Sequence, residues 1–184
     1  TSMVVKAGRL GYRPQLMKNI LTGTVHDAVR DIVSQMEGYV ETDTSTALIW
    51  GAEIWANRNA RLRGETGPVA RLLVLVAEQL RERGWDHVVF MAADTDGFIG
   101  NSDIAGGYVD STLRHRAERQ NIDLDTVLAE RKSAHALKAL NCAIKTGDTG
   151  VDVSDIAVAL IIPQEKAEAD FTKIVDQAGA KGEG

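Results

Sequence analysis

Val88-Val89-Phe90-Met91-Ala92 runs directly into Ala93-Asp94-Thr95-Asp96-Gly97-Phe98-Ile99-Gly100-Asn101-Ser102-Asp103. An apolar run without alternation suits a strand covered on both faces, as at the centre of a parallel sheet. The polar, Gly-rich stretch behind it reads as a loop over 93–107. Upstream, Pro68 fits the first turn of a helix whose apolar face is Val69, Leu72, Leu73, Val76, Ala77 and Leu80, and Gly84 ends it. Before that, Thr24 is placed to cap a helix with Ala28, Val29, Ile32, Val33 and Met36 at helical spacing, stopped by Gly38.

The remaining segments extend the alternation. Residues 46–50 read as a short buried strand ending at Gly51, residues 12–17 as a weaker one, and residues 156–162, closed by Pro163, as another apolar strand. Helical segments are read over 109–119, 124–131 and 133–140, with a terminal amphipathic helix over 165–177. Strands separated by helices imply crossover connections. The expected fold is therefore α/β, a mostly parallel sheet flanked by helices on both faces in a single three-layer domain. That domain is drawn over residues 1–178, with 179–184 as a flexible tail.

Composition narrows the class. Hydrophobic residues make up 44% and charged residues 26% of 184, which excludes a disordered, collagen-like or disulfide-framed chain. Aromatic residues are only 5%, against a base-stacking platform. The net charge is 21 − 26 = −5 with a pI near 5.4, so no nucleic-acid partner is expected. The longest apolar stretches, 72–77 and 156–162, fall far short of the ~20 residues of a membrane span. Lys6 and Arg9 interrupt any secretory h-region, and the single Cys142 fits a reducing compartment, so the expected location is cytoplasmic.

Ligands of α/β sheets bind outside the carboxyl ends of strands, which singles out three segments. Asp94, Thr95, Asp96, Gly97 and Asp103 follow the strongest strand; their carboxylates and small polar groups suit a divalent cation or substrate hydroxyls, and equally suit plain turns. Lys145-Thr146-Gly147-Asp148-Thr149-Gly150 leads toward the last strand, and its two Thr-Gly units suit a backbone anion nest or an ordinary pair of turns. Trp50-Gly51-Ala52-Glu53 places Glu53 after a strand end, most simply a turn. No P-loop or G-x-G-x-x-G is present, and His26, His87, His115 and His135 have no metal-ligand spacing. Arg114, Arg116, Arg119, Arg131 and Lys132, mixed with Glu118 and Glu130, read as a solvated helical face.

Taken in order, Leu10-Gly11-Tyr12, Gly51-Ala52-Glu53, Asp94-Thr95-Asp96-Gly97, Asp103-Ile104-Ala105-Gly106-Gly107 and Thr146-Gly147-Asp148-Thr149-Gly150 before Asp152 and Asp155 resemble the MOFRL domain. This is the C-terminal domain of class II glycerate 2-kinases, a family often labelled hydroxypyruvate reductase. The resemblance runs from about Gly8 to Pro163. It implies a two-lobed enzyme that phosphorylates D-glycerate with ATP and Mg²⁺ in a cleft between this domain and a larger N-terminal lobe. By motif, Asp96 and Asp103 are the candidate catalytic residues, and Asp94 and Asp96 the candidate Mg²⁺ ligands. Thr95, Gly97, Thr146, Gly147, Thr149, Gly150 and Glu53 are the candidate substrate and phosphate contacts. The implied partners are a small hydroxy acid, a nucleotide, and either the missing lobe or a second copy of the chain.

Three departures stand out. The family's Arg-Asn-Gln-Glu set is replaced within Arg63-Gly64-Glu65-Thr66-Gly67-Pro68-Val69-Ala70-Arg71, where Arg61, Arg63 or Arg71 is left as a displaced charge. Ile99 stands at the second aspartate of the Asp-Gly motif, and Asp148 at the proline of the Thr-Gly loop. A diverged domain that binds a hydroxy acid or a protein without catalysis is the competing expectation. A true reductase is disfavoured by the missing dinucleotide turn.

Overall fold

The structure, a computed structural model, describes residues 2–55 and 67–167. Its elements in order are α1 (Ser2–Arg9), β1 (Arg13–Leu16), β2 (Leu21–Thr24), α2 (Val25–Glu37), β3 (Thr46–Trp55), α3 (Pro68–Glu82), β4 (Val88–Asp94) and β5 (Gly106–Val109). There follow α4 (Leu113–Arg119), α5 (Leu124–Ala129), α6 (Ser133–Ala139), β6 (Ala143–Ile144) and β7 (Asp155–Ile161).

The two long helices form where their punctuation places them. Thr24 closes a capping box at the start of α2: its hydroxyl accepts from Asp27 N at 3.3 Å, and the Asp27 carboxylate accepts from Thr24 N at 3.2 Å. Ala28, Ile32 and Met36 then fall on one fully buried stripe. Pro68 opens α3 with φ preset for a helix, and Leu72, Leu73, Val76 and Leu80 are completely buried against the sheet. Fully burying each such side chain is worth about 1.5–3 kcal/mol, which outweighs the lack of a side-chain cap on this helix.

The sheet runs β1-β3-β7-β4-β5-β6, and β2 pairs with the same edge of β3 that β1 uses. Pro14 sits on this interrupted outer strand, where a missing N–H is tolerated. The α/β class and the flanking helices are as expected, and the sheet is mixed. β1, β2, β3, β4 and β6 share one direction, while β7 runs antiparallel to both β3 and β4, and β5 antiparallel to β4 and β6. The 88–92 strand is thus central, but between two antiparallel neighbours rather than parallel ones. The cause is local: segments 95–105 and 145–154 contain no helix, and each simply turns the chain back.

Alternation sorts the sheet into two faces. Leu48, Trp50 and Ala52 of β3, Phe90 and Ala92 of β4, and Ala157 and Ala159 of β7 enter the core beneath α2 and α3, where the Trp50 and Phe90 rings lie 6.5 Å apart at 57°. Ala47 and Ile49 point the other way and are buried too, and α1 lies against β1 and β3. This gives three layers. The second face is more open at β4 and β5, where Val89 is 40% and Tyr108 44% exposed. Helix α1 and strands β2, β5 and β6 were not among the expected elements, β3 extends beyond Gly51, and the 109–119 helix begins only at Leu113. The terminal helix is described only over 164–167; its remainder, Arg61, Arg63 and the tail 179–184 lie outside the described residues. Among the described residues no helix is long and apolar enough to cross a membrane.

Candidate functional site

The carboxyl end of β4 and the two helix-free returns meet at one edge of the sheet. Thr95 is the fastener. Its hydroxyl donates to Ser154 O at 2.8 Å and accepts from Val153 N at 2.9 Å, spanning nearly sixty residues of chain. Thr149 answers from the other loop: its N–H donates to Asp96 O at 3.2 Å, and its hydroxyl bonds to Thr95 O and also reaches Val151 O at 3.1 Å. Both hydroxyls are therefore occupied in joining the loops.

Gly97 is where the loops touch most closely. Its φ is +101°, and a Cβ built there would lie 2.0 Å from Gly147 O and 3.0 Å from Thr146 Oγ1. Only glycine satisfies both the conformation and the approach. Thr146 in turn donates to Gly147 O at 2.9 Å, and Asp148 accepts from Gly150 N at 2.8 Å in an Asx turn. Behind the first loop, the N-terminus of α3 packs close: a Cβ on Gly67 would sit 3.0 Å from Gly100 N.

Carboxylates crowd this edge. Asp94 is directly opposite Asp155 in the β4·β7 register. Burial, then the Asp94 charge, pushes the Asp155 carboxyl up to about 6. Burial likewise raises Asp94, partly offset by the hydrogen bond its Oδ1 accepts from Asp96 N at 3.2 Å. Asp96 accepts from Phe98 N at 2.7 Å. Asp152 adds a further negative charge beside Asp94 and Asp155. Among the described residues no three His, Cys, Asp or Glu side chains form a group able to hold a metal by themselves.

Asp103 lies in different company. Its Oδ1 accepts from Lys138 Nζ at 2.8 Å and its Oδ2 from Lys145 Nζ at 2.6 Å. The two ammonium groups hold its carboxyl far below the usual carboxylate range. Of the residues singled out in the sequence, the structure brings together Asp94, Thr95, Asp96 and Gly97 with Thr146, Gly147, Thr149 and Gly150. Glu53 stands apart: it alternates with core-facing Ala52 and Ile54, so it is exposed on the opposite face of β3. Asp155 and Lys138 went unnoticed as site residues. The first shows only once Asp94 and Asp155 are in register, and the second lies 35 residues from its partner.

Other charged groups have structural employment. Arg114 Nε donates to Glu78 at 2.8 Å and its Nη2 to Asp125 at 2.9 Å, tying α4 to α3 and α5. Arg71 donates to Leu128 O at 3.2 Å, and His87 is buried with its Nε2 2.9 Å from Val40 O. Cys142 is fully buried, and burial pushes its thiol up, away from reactivity.

Comparison with known proteins finds relatives of this chain and of its fold. A glycerate 2-kinase of Pyrococcus horikoshii is 29% identical over 160 residues, covering 85% of this chain and 36% of the relative. A D-glycerate 2-kinase of Thermotoga maritima is 28% identical over 156 residues, 83% of this chain and 36% of the relative. The chain thus spans little more than a third of these relatives. A crystal structure of a Pyrococcus horikoshii OT3 protein superposes with a TM-score of 0.76 at 28% identity, covering 89% of this chain and 37% of that one. The crystal structure of a Thermotoga maritima glycerate kinase gives 0.71 at 28% identity over 85% and 38%. The model of the MOFRL family matches residues 46–155, which hold β3 to the start of β7 and both joined loops, and this chain belongs to that family.

Proposed function

We propose that this chain is the C-terminal part of a glycerate 2-kinase-like enzyme, supplying half of an interdomain site for ATP-dependent phosphorylation of D-glycerate or a similar small hydroxy acid. The observation that supports this best is the weld of the 94–103 and 145–155 loops, which gathers the family's Asp-Gly and Thr-Gly motifs at one sheet edge. Phosphoryl transfer depends on positioning and charge neutralisation more than on covalent chemistry, and a stiff edge of this kind serves positioning. The half site is inactive alone, because the chain matches only 36% of each relative named for the kinase activity.

Within that reading the threonines and glycines divide the work. Thr95 and Thr149 spend their hydroxyls on the weld, so they shape the loops, while the backbone at Gly97, Gly147 and Gly150 presents to substrate or phosphate. The excess of carboxylate oxygens, with Asp94 and Asp155 resisting ionisation, has the donor chemistry of a Mg²⁺ site. Asp94 and Asp96 would hold the ion. The chemistry such an ion would supply is neutralisation of phosphate charge. Asp96 orients the substrate hydroxyl or the ion.

The test is ATP-dependent phosphorylation of D-glycerate in Mg²⁺, run on this chain alone and mixed with a family N-terminal lobe. Turnover in the mixture only, abolished by Asp96→Ala, is the expected result. A second reading, a diverged domain that binds a hydroxy acid or a protein partner without catalysis, is favoured by the replaced Arg-Asn-Gln-Glu set and by the engagement of Arg71 with Leu128 O. Lobes that associate without turnover would establish it. A second copy of the chain as partner would instead appear as a dimer in sedimentation.

A further inference from the structure

The strands beside β4 carry a cationic feature that the sequence motifs do not name. Asp94 N donates to Ala105 O at 2.8 Å, Ala105 N donates to Ile144 O at 2.8 Å, and β6 shares the direction of β4. Lys145 therefore leaves the carboxyl end of β6 at the same edge at which Asp94 leaves β4, about 10 Å away across two strand spacings. It immediately precedes the Thr146-Gly147 turn that packs on Gly97. Lys138 comes from α6, and both lysines converge on the two oxygens of one carboxylate, Asp103.

Two ammonium groups sharing one carboxylate leave a net charge of +1. Beside them stand Asp94, Asp96, Asp152 and Asp155. A free lysine side chain is a mobile point charge that loses substantial rotamer entropy when it binds. Held at 2.6 Å by Asp103, Lys145 is already fixed next to the turn. A salt bridge this exposed adds little to folding, so stability does not account for the arrangement.

We infer that Lys145 is the anion-binding side chain of the candidate site, taking a phosphoryl or carboxylate oxygen, and that Asp103, with Lys138 on its other oxygen, is its positioning residue. This rests on the proposed site and changes the part given to Asp103, which holds a cation in place rather than acting as a base or metal ligand.

Titration calorimetry of this chain with inorganic pyrophosphate and, separately, with D-glycerate tests it. Lys145→Ala is expected to weaken one of the two about fivefold to tenfold, as loss of one charge-assisted hydrogen bond does. Lys145→Arg should keep most of the affinity, and Lys18→Ala, a change at an exposed lysine elsewhere, should change nothing. Asp103→Asn is the decisive variant, because it makes the edge more positive. A loose electrostatic patch would then bind more tightly, whereas a positioned cation binds more weakly. Weakening confined to pyrophosphate assigns Lys145 to phosphate, and weakening confined to glycerate assigns it to the carboxylate. Wild-type binding of neither anion, equal binding by Lys145→Ala, or tighter binding by Asp103→Asn overturns the inference. Lobe-dependent turnover separates this from the kinase reading: anion binding without turnover leaves Lys145 in place and removes the kinase, and turnover unaltered by Lys145→Ala does the reverse.

Discussion

Replacing Gly97 by alanine sets the weld of the two loops against the rest of the fold. The backbone there has φ +101°, and forcing an L-residue into that region costs about 1–2 kcal/mol. The new methyl would also sit 2.0 Å from Gly147 O and 2.9 Å from Gly147 C, both backbone atoms that no side-chain rotation can clear. The loops must part by more than 1 Å, on the order of the overlap with a normal carbon–oxygen contact. That lengthens the Thr149 N to Asp96 O bond, already 3.2 Å, and strains the bonds Thr95 makes to Val153 and Ser154. Losing two such exposed bonds costs about 1–2 kcal/mol at the low end of net hydrogen-bond values. The sum is about 2–4 kcal/mol, and at this chain length about 2–4 °C in Tm accompanies each kcal/mol. Gly11→Ala is the matched control, since φ there is +84° with nothing within 4 Å of the added carbon, so only the strain of about 1–2 kcal/mol applies. Urea unfolding followed by circular dichroism gives both values, and hydrogen exchange at Thr149 and Val153 reports on the weld itself. A loop that opens locally caps the global loss but still speeds exchange at those two amides. Equal destabilisation by the two variants, with exchange at Thr149 and Val153 unchanged, would refute the contact reading of Gly97.

Two further outcomes follow from the geometry. Asp155 binds its proton more tightly in the folded state than in the unfolded chain, about 6 against 3.8, so its contribution to stability is greatest below pH 4 and is lost as pH rises toward 6. The unscreened value is about 3 kcal/mol, and partial solvent access reduces it to about 1–2 kcal/mol. Asp155→Asn should therefore stabilise the chain by that amount at pH 7.5 and leave it unchanged at pH 4, which urea melts at both pH values would check; equal effects at both would count against the charge cluster. Thr24→Ala removes the hydroxyl half of the α2 capping box and should cost about 1 kcal/mol, whereas Thr24→Ser should cost much less; equal losses for the two would show that the cap hydrogen bond is not what Thr24 contributes.

Legibility in the sequence followed the length and punctuation of each element. Thr24, Gly38 and Pro68 bound long amphipathic runs, so α2 and α3 were readable within a residue or two. The four residues of β5 and two of β6 are too short to show a period, and both contain small residues that read as loop. Strand direction depends on whether a connection holds a helix or turns straight back, and a Gly-rich segment does not reveal which. At the candidate site, the Asp-Gly and Thr-Gly motifs marked two loops that the structure joins, because their aspartates and glycines make tight turns. Their individual roles were harder to see. Thr95 looks like a ligand hydroxyl until the bonds to Val153 and Ser154 show it occupied. Asp103 looks like a free carboxylate until residues 35 and 42 positions away close on it. Glu53 sits in a matching motif, yet one step of strand alternation puts it on the other face.

The electrostatics of the edge give a physical reason for its proposed dependence on something beyond this chain. Asp94 and Asp155 face each other across β4 and β7 with Asp96 and Asp152 beside them, and the pair answers by holding protons more tightly. Carboxylates this close ionise at a cost that positive charge brought to them relieves. Lys145 and Lys138 are committed to Asp103, and Arg71 donates to Leu128 O. On the proposed reading, relief arrives with a ligand or a partner surface: a divalent ion carried with a nucleotide, or basic groups on a complementary lobe. A domain of this length folds with such an edge because its core, from Trp50 and Phe90 to the stripe of α3, outweighs the repulsion. The same repulsion makes association with a cation-bearing partner more favourable than it would be for a neutral edge. On the proposed reading, the destabilising charge at the end of the sheet is the driving force that assembles the site.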